Sequence, residues 1–164
     1  MNLIGTLARL NFGKIWELLG LSLGHITFLW PTYRATRACM SISTKHFGRK
    51  HYQNGQANAF RHALWNVLIA KACFKGPKNL QKSISWTKRI TDWHETAFFS
   101  KTLPMKMDYH NNAIGRWLFS EHWKWTEEQF IEQLLKLTHH ALMLNEHTDL
   151  STIKNQLVYI TNDH

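Results

Sequence analysis

The chain has 164 residues, which suits one domain with a sizeable core and leaves little room for two. With 44% hydrophobic and 19% charged residues it is globular rather than disordered, and eight Gly and three Pro are too few for the tight turns of a β-sandwich or barrel. The net charge of +9 is uneven, at +7 over residues 1–61, +5 over 62–101 and −3 over 102–164, and a basic front suits an anionic substrate or a lipid surface.

In chain order, Asn11-Phe12-Gly13 ends a short first helix, and a second runs from Lys14 to about Trp30. Residues 15–30 are apolar except for Glu17 and His25. Crossing a bilayer takes about 20 apolar residues, so this stretch is too short and too polar to span. No cleavable signal peptide is recognised: Pro31, Tyr33 and Arg34 follow where a small-residue cleavage site would stand, and Thr36–Cys39 reads TRAC rather than a lipobox. Residues 1–44 are therefore expected to pack on the core or to lie on a membrane surface, in a cytoplasmic or peripherally attached protein. Pro31 either kinks this segment or opens a new helix through Thr44. Cys39 and Cys73 make no disulfide framework and no zinc spacing, and read as small buried hydrophobes.

Residues 45–55 (KHFGRKHYQNG) are basic, aromatic and punctuated by glycine, which predicts a loop. Bases could stack on Phe47 or Tyr52 there, but no recognised nucleic-acid module surrounds them, so nucleic acid is the weaker partner expectation. An Ala- and Leu-rich helix follows over 56–74, closed by Lys75-Gly76-Pro77. Further helices are predicted over 79–100 and 106–119, with Pro104 marking the break between them. Thr126 and Gln129 form a capping box, and Phe130, Leu134, Leu137, Ala141 and Leu144 recur behind it at helical spacing. Asp149 caps a last short helix carrying Ile153, Leu157 and Ile160. No segment sustains period-two alternation. The fold class is all-α, a compact orthogonal or bundle-like array of five to seven helices in a single domain, with residues 55–119 as its motif-bearing core.

Projection at about 100° per residue separates the faces of the three central helices. The first gathers Asn58, Arg61, His62, Trp65 and Asn66 on one side, opposite Phe60, Ala63, Leu64 and Val67. On the second, Ile90, Trp93 and Ala97 form an apolar stripe with His94 at its edge, Thr91 and Glu95 on the same flank, and Asp92 further round. On the third, Asp108, Asn111, Asn112 and Gly115 share a face flanked by Arg116, while His110 projects to the opposite side. Glycine costs about 1 kcal/mol relative to alanine within a helix, so Gly115 implies close approach of another helix or of a ligand.

Three such faces must bond to one another or to a metal, water or substrate. The sequence lacks an HExxH helix, a Walker-A loop, a GxSxG elbow and a dinucleotide-binding glycine fingerprint. The HxxxD/E pairs of helical trinuclear zinc phospholipases are also missing, because Asn66, Phe98, Ile114, Thr126, Met143 and Leu144 stand at the fourth position after the candidate histidines. Imidazole with carboxylate oxygen suits a divalent metal (zinc, manganese or iron), with His62, Asp92, His94, Asp108 and His110 as candidate ligands. It equally suits metal-free acid–base chemistry, with His94 as base, Glu95 or Asp92 orienting it and an arginine holding an anion.

The segments Asn58-Ala59-Phe60-Arg61-His62-Ala63-Leu64-Trp65-Asn66, Asp92-Trp93-His94-Glu95 and Met107-Asp108-Tyr109-His110-Asn111-Asn112-Ala113-Ile114-Gly115-Arg116 resemble a bacterial domain family of unknown function. Its pattern is NAxRHAxW, DxHE and MDxHNNxxGR, and its members occur as small standalone proteins and at the ends of secreted or toxin-like ones. The resemblance covers about residues 55–119, carries no settled activity, and implies that the three segments act together, His110 included. The resulting expectation is a helical hydrolase, metal-dependent or not, acting on an ester or phosphoester, a lipid ester among the candidates. His62, His94, Glu95, Asp108 and His110 are its reacting groups, and Asn58, Arg61, Asn111, Asn112 and Arg116 its substrate contacts. The alternative is a membrane- or partner-binding helical module whose polar faces form a structural network.

Overall fold

The computed structural model describes residues 12–98 and 102–161, leaving the predicted first helix and the last residues of the helix over 79–100 outside the described residues. Six α-helices are present among them: α1 (Phe12–Leu23), α2 (Ile26–Phe47), α3 (Gln56–Cys73), α4 (Leu80–Phe98), α5 (Thr102–Glu121) and α6 (Glu127–His139). Two short strands, β1 (Leu142–Met143) and β2 (Val158–Tyr159), pair in parallel with Leu142 opposite Val158. The array is helical as its residue periodicity predicts.

Helix α3 is the axis of the domain, packed by α2, α4, α5 and α6. It is buried nearly all round, and the side carrying Asn58, His62 and Asn66 is as enclosed as the side carrying Phe60, Leu64 and Val67. Such a helix reads as weakly amphipathic because no face meets water. Gly76, at φ 136°, turns the chain after α3 in a conformation that side chains rarely adopt. Helix α6 starts as predicted: Thr126 Oγ1 accepts from the Gln129 backbone N–H, and Gln129 Oε1 accepts from the Thr126 backbone N–H.

Three local expectations are corrected. The break near Pro31 falls earlier, at Gly24-His25, and Pro31 lies inside α2. The predicted loop over 45–55 is partly helical, since α2 runs to Phe47 and a 3-10 stretch (Gly48–Tyr52) follows; Phe47 packs on Phe60, with ring centroids 5.1 Å apart. The expected last helix is instead a 3-10 turn (Leu150–Thr152), capped by Asp149, followed by β2. There Val158 and Ile160 bury beside Met107 and Leu144, and Asn111 grips Val158 at both its N–H and its C=O. Tertiary burial of β-branched residues outweighs weak helical periodicity.

The tryptophans divide. Trp86 is fully buried and donates to Thr32 Oγ1, and Trp65 donates to Thr36 Oγ1 one turn further along α2, each at 2.8 Å. These two bonds fix α2 across α3 and α4. Trp93, Trp117, Trp123 and Trp125 pack against the main core, whereas Trp16 and Trp30 are exposed. No described helix is long and apolar enough to cross a membrane.

Candidate functional site

The three motif helices meet where the sequence put a glycine. A Cβ on Gly115 of α5 would lie 2.2 Å from the Ala63 carbonyl oxygen of α3, so the two backbones are in contact. This approach brings His62 from α3, Glu95 from α4 and Asp108 from α5 together, each at most 2% exposed. His62 Nδ1 is 3.5 Å from Glu95 Oε1, and His62 Nε2 is 3.3 Å from Asp108 Oδ1. Arg61 donates to His62 Nε2 at 2.8 Å and to the His51 carbonyl at 2.6 Å. Accepting from a guanidinium assigns the His62 proton to Nδ1, facing Glu95 and the Asn112 side-chain oxygen.

Behind this cluster lies a ladder of neutral and cationic donors. Asn112 donates to Glu95 Oε1 at 2.9 Å and accepts from Asn66 at 2.7 Å. Asn66 Oδ1 accepts in turn from Arg116 at 2.9 Å and from Thr91 at 3.2 Å. In front of it, Glu95 Oε2 and Asp108 Oδ1 are buried without a hydrogen bond. Burial pushes the Asp108 carboxyl up to about 6 despite the opposing pull of His62, and the neighbouring Glu95 adds to the rise. Burial also works against ionised Glu95, but the hydrogen-bonding and electrostatic pull of His62 and His94 outweighs it and holds Glu95 well below the usual carboxylate range. Burial lowers the Arg61 guanidinium from its ordinary value, an effect countered in part by Asp108.

A cleft of about 220 Å³ opens onto this cluster. Arg61 and His62 form its floor, Trp65 and Tyr52 its aromatic walls, and Thr36, Met40 and His94 its remaining sides. His94 stands at the rim, part-exposed, edge-on to Trp65 and with Nδ1 3.6 Å from Glu95 Oε1. Cys39 also lines the cleft, but burial pushes its thiol up to about 12, and Cys73 is raised to about 11, so neither is a thiolate nucleophile at neutral pH. A larger cavity of about 370 Å³ beside Trp30, Arg34 and Lys71 has no histidine in its lining.

The candidate residues therefore separate. His62, Glu95, Asp108 and Arg61 converge, with His94 beside them and Asn112 behind. His62, rather than His94, holds the centre. His110 points the other way, with Nε2 2.9 Å from the Gln156 carbonyl, as its helical projection indicated and against what the motif resemblance implied. Asp92 pairs with Lys88 one turn back on the outer side of α4. Asn111 serves the strand, and Arg116 lies deep in the ladder. Asn58 is buried one turn before His62, and its Oδ1 makes no hydrogen bond. Sequence reasoning missed Thr36 and Met40, which reach the cleft from α2, and the His51 carbonyl that anchors Arg61, and it named Tyr52 of the 3-10 stretch only as a stacking surface for bases. No spacing rule connects these segments to α3.

A family model described as a domain of unknown function (DUF6973) matches residues 19–142, and the chain belongs to that family. The match is wider than the motif core and takes in α2 and α6, so it includes cleft walls as well as floor. No curated protein and no solved structure matches the chain.

Proposed function

For this member of the DUF6973 family, we propose a small helical hydrolase that acts on an anionic ester or phosphoester in the cleft above His62. The observation that carries this reading is a buried histidine between two carboxylates from different helices, beside a guanidinium anchored on a backbone carbonyl. Water attacks the carbonyl or phosphoryl centre, its proton passes to the His62–Glu95–Asp108 cluster, and the ester bond breaks as the departing oxygen takes a proton. His94 at the rim is placed to supply that proton. Arg61 holds the anionic oxygens, and its charge acts more strongly in a site shielded from water. Trp65 and Tyr52 accommodate the apolar part of the ester.

The test is turnover on panels of carboxylic and phosphoric esters. His62→Ala and Asp108→Asn are each expected to cost about 10²–10⁴-fold, with helical circular dichroism retained. Full activity in both variants, or no turnover by the wild type on either panel, overturns the hydrolase. The Asn66–Asn112–Arg116 ladder supports a second reading, a non-enzymatic module whose polar interior is structural. In that case the same variants change only the melting temperature.

The partner proposed for the outer face is an anionic bilayer. Phe12, Trp16, Leu19 and Leu23 share one exposed side of α1, and Ile26 and Trp30 continue it onto α2. Together with the basic front of the chain, this stripe supports peripheral attachment. Co-sedimentation with phosphatidylserine vesicles, weakened by Trp16→Ser with Trp30→Ser, is expected; equal loss to neutral and anionic vesicles, or no binding at all, removes the proposal.

A further inference from the structure

We propose that His62, Glu95 and Asp108 bind one divalent first-row cation, zinc or manganese, at the floor of the cleft. The inference rests on the hydrolase reading for the cation's role, and on geometry alone for its existence.

One ligand atom from each of the three residues lies within 4.8 Å of the others, and all three residues are buried. Proximity of acidic groups is not enough by itself. The independent sign is that Glu95 Oε2 and Asp108 Oδ1, in residues that are 0% and 2% exposed, have no hydrogen-bond donor. Native interiors rarely leave carboxylate oxygens in that condition unless something absent from the polypeptide satisfies them. Every other polar side chain of the adjoining ladder finds a partner, and Asn112 already steadies Glu95 through Oε1. That is the orienting support metal-binding carboxylates ordinarily receive.

The donor set narrows the ion. One imidazole nitrogen and two carboxylate oxygens suit zinc, manganese or ferrous iron better than soft-ligand metals. Three protein ligands are one fewer than a closed structural site uses, and His62 among them lines the cleft, which suits a catalytic rather than a closed structural site. Asp92, His94 and His110, expected as ligands from sequence, are not members, and Glu95 takes a place that the sequence did not give it. The Arg61 bond to His62 Nε2 competes with any cation that takes the same lone pair. A cation there displaces one guanidinium N–H while the His51 carbonyl keeps its hold, so Arg61 gains a donor for the substrate anion. When bound, the ion would supply Lewis acidity and a more acidic water, and His62, with its Nε2 lone pair on the cation, would serve as a ligand rather than as the proton acceptor of the metal-free reading.

Chelator-stripped full-length protein, titrated calorimetrically with zinc and separately with manganese, tests the site. One saturable cation per chain is expected, with affinity falling about tenfold or more in folded Glu95→Gln and Asp108→Asn variants. Nitrogen coupling in the electron spin-echo spectrum of bound manganese is expected in the wild type and lost in His62→Ala. Absence of uptake by the wild type, or uptake unchanged in all three variants because surface histidines are responsible, overturns the site. A loaded protein that hydrolyses neither ester panel overturns the hydrolase and leaves the cation site standing.

Discussion

The three motif helices carry two polar regions that differ in how completely their groups are matched. In one, Asn66, Asn112, Thr91 and Arg116 exchange hydrogen bonds across α3, α4 and α5. In the other, beneath the cleft, two carboxylates crowd one imidazole, and an oxygen of each has no donor. Both regions are buried and rich in residues that sequence alone would label functional. The difference is satisfaction. A closed network rigidifies and positions, whereas an unfinished one is where a ligand completes the bonding. Asn112 belongs to both, and transmits the order of the first to the second.

The contact on which both regions depend gives the largest expected effect. Gly115→Ala drives a methyl group into the Ala63 backbone and is expected to destabilise the fold by about 3 kcal/mol or more, read by denaturant unfolding. Next is Asn112→Ala, which strips partners from Asn66, Glu95 and His62 together. About 2–4 kcal/mol is expected from chemical denaturation. A variant losing less than half of this would show that the ladder is not a structural unit.

The unfinished region is expected to respond with the opposite sign. Asp108 has a folded-state value of about 6 against 3.8 for a free side chain, so the folded protein holds that proton longer than the unfolded chain does. Stability of metal-free protein should therefore fall as pH rises from about 4 to about 6, and stay reduced above that. Asp108→Asn should remove this contribution and raise stability at pH 7 by roughly 1–3 kcal/mol while lowering turnover about 10²–10⁴-fold. Melting temperature measured across this pH range checks it, and destabilisation at pH 7 would place Asp108 with the satisfied groups. The smallest effect is expected for His110→Ala, which loses one bond to the Gln156 carbonyl. It should cost about 1 kcal/mol and leave turnover unchanged; loss of activity would return His110 to the site.

Much of this separation was legible in the order of residues. Periodicity marked the helices, Thr126 and Gln129 marked a start, and Gly115 on a polar face announced a close approach. Projection put His110 opposite Asp108, and that arrangement holds even though the shared motif pulled the other way. Asp92 shows the same logic, because one residue's rotation from Trp93 and three from Glu95 carry it to the Lys88 side of α4. The C-terminal segment failed this reading: Ile153, Leu157 and Ile160 have helical spacing, but burial against Met107 and a clamp from Asn111 select a strand.

What the sequence determined by itself is whatever depends on neighbours one to four residues away, namely helix type, caps and which side chains share a face. Only the tertiary structure decided which polar face is satisfied. Hydrogen-bond partners here lie 17 to 50 residues apart, and whether Glu95 or Asp108 finds a donor depends on how α3, α4 and α5 are turned toward one another. The same packing chose His62 over His94 as the centre, because the α3–α5 backbone contact at Gly115 places His62 between the carboxylates and leaves His94 at the rim.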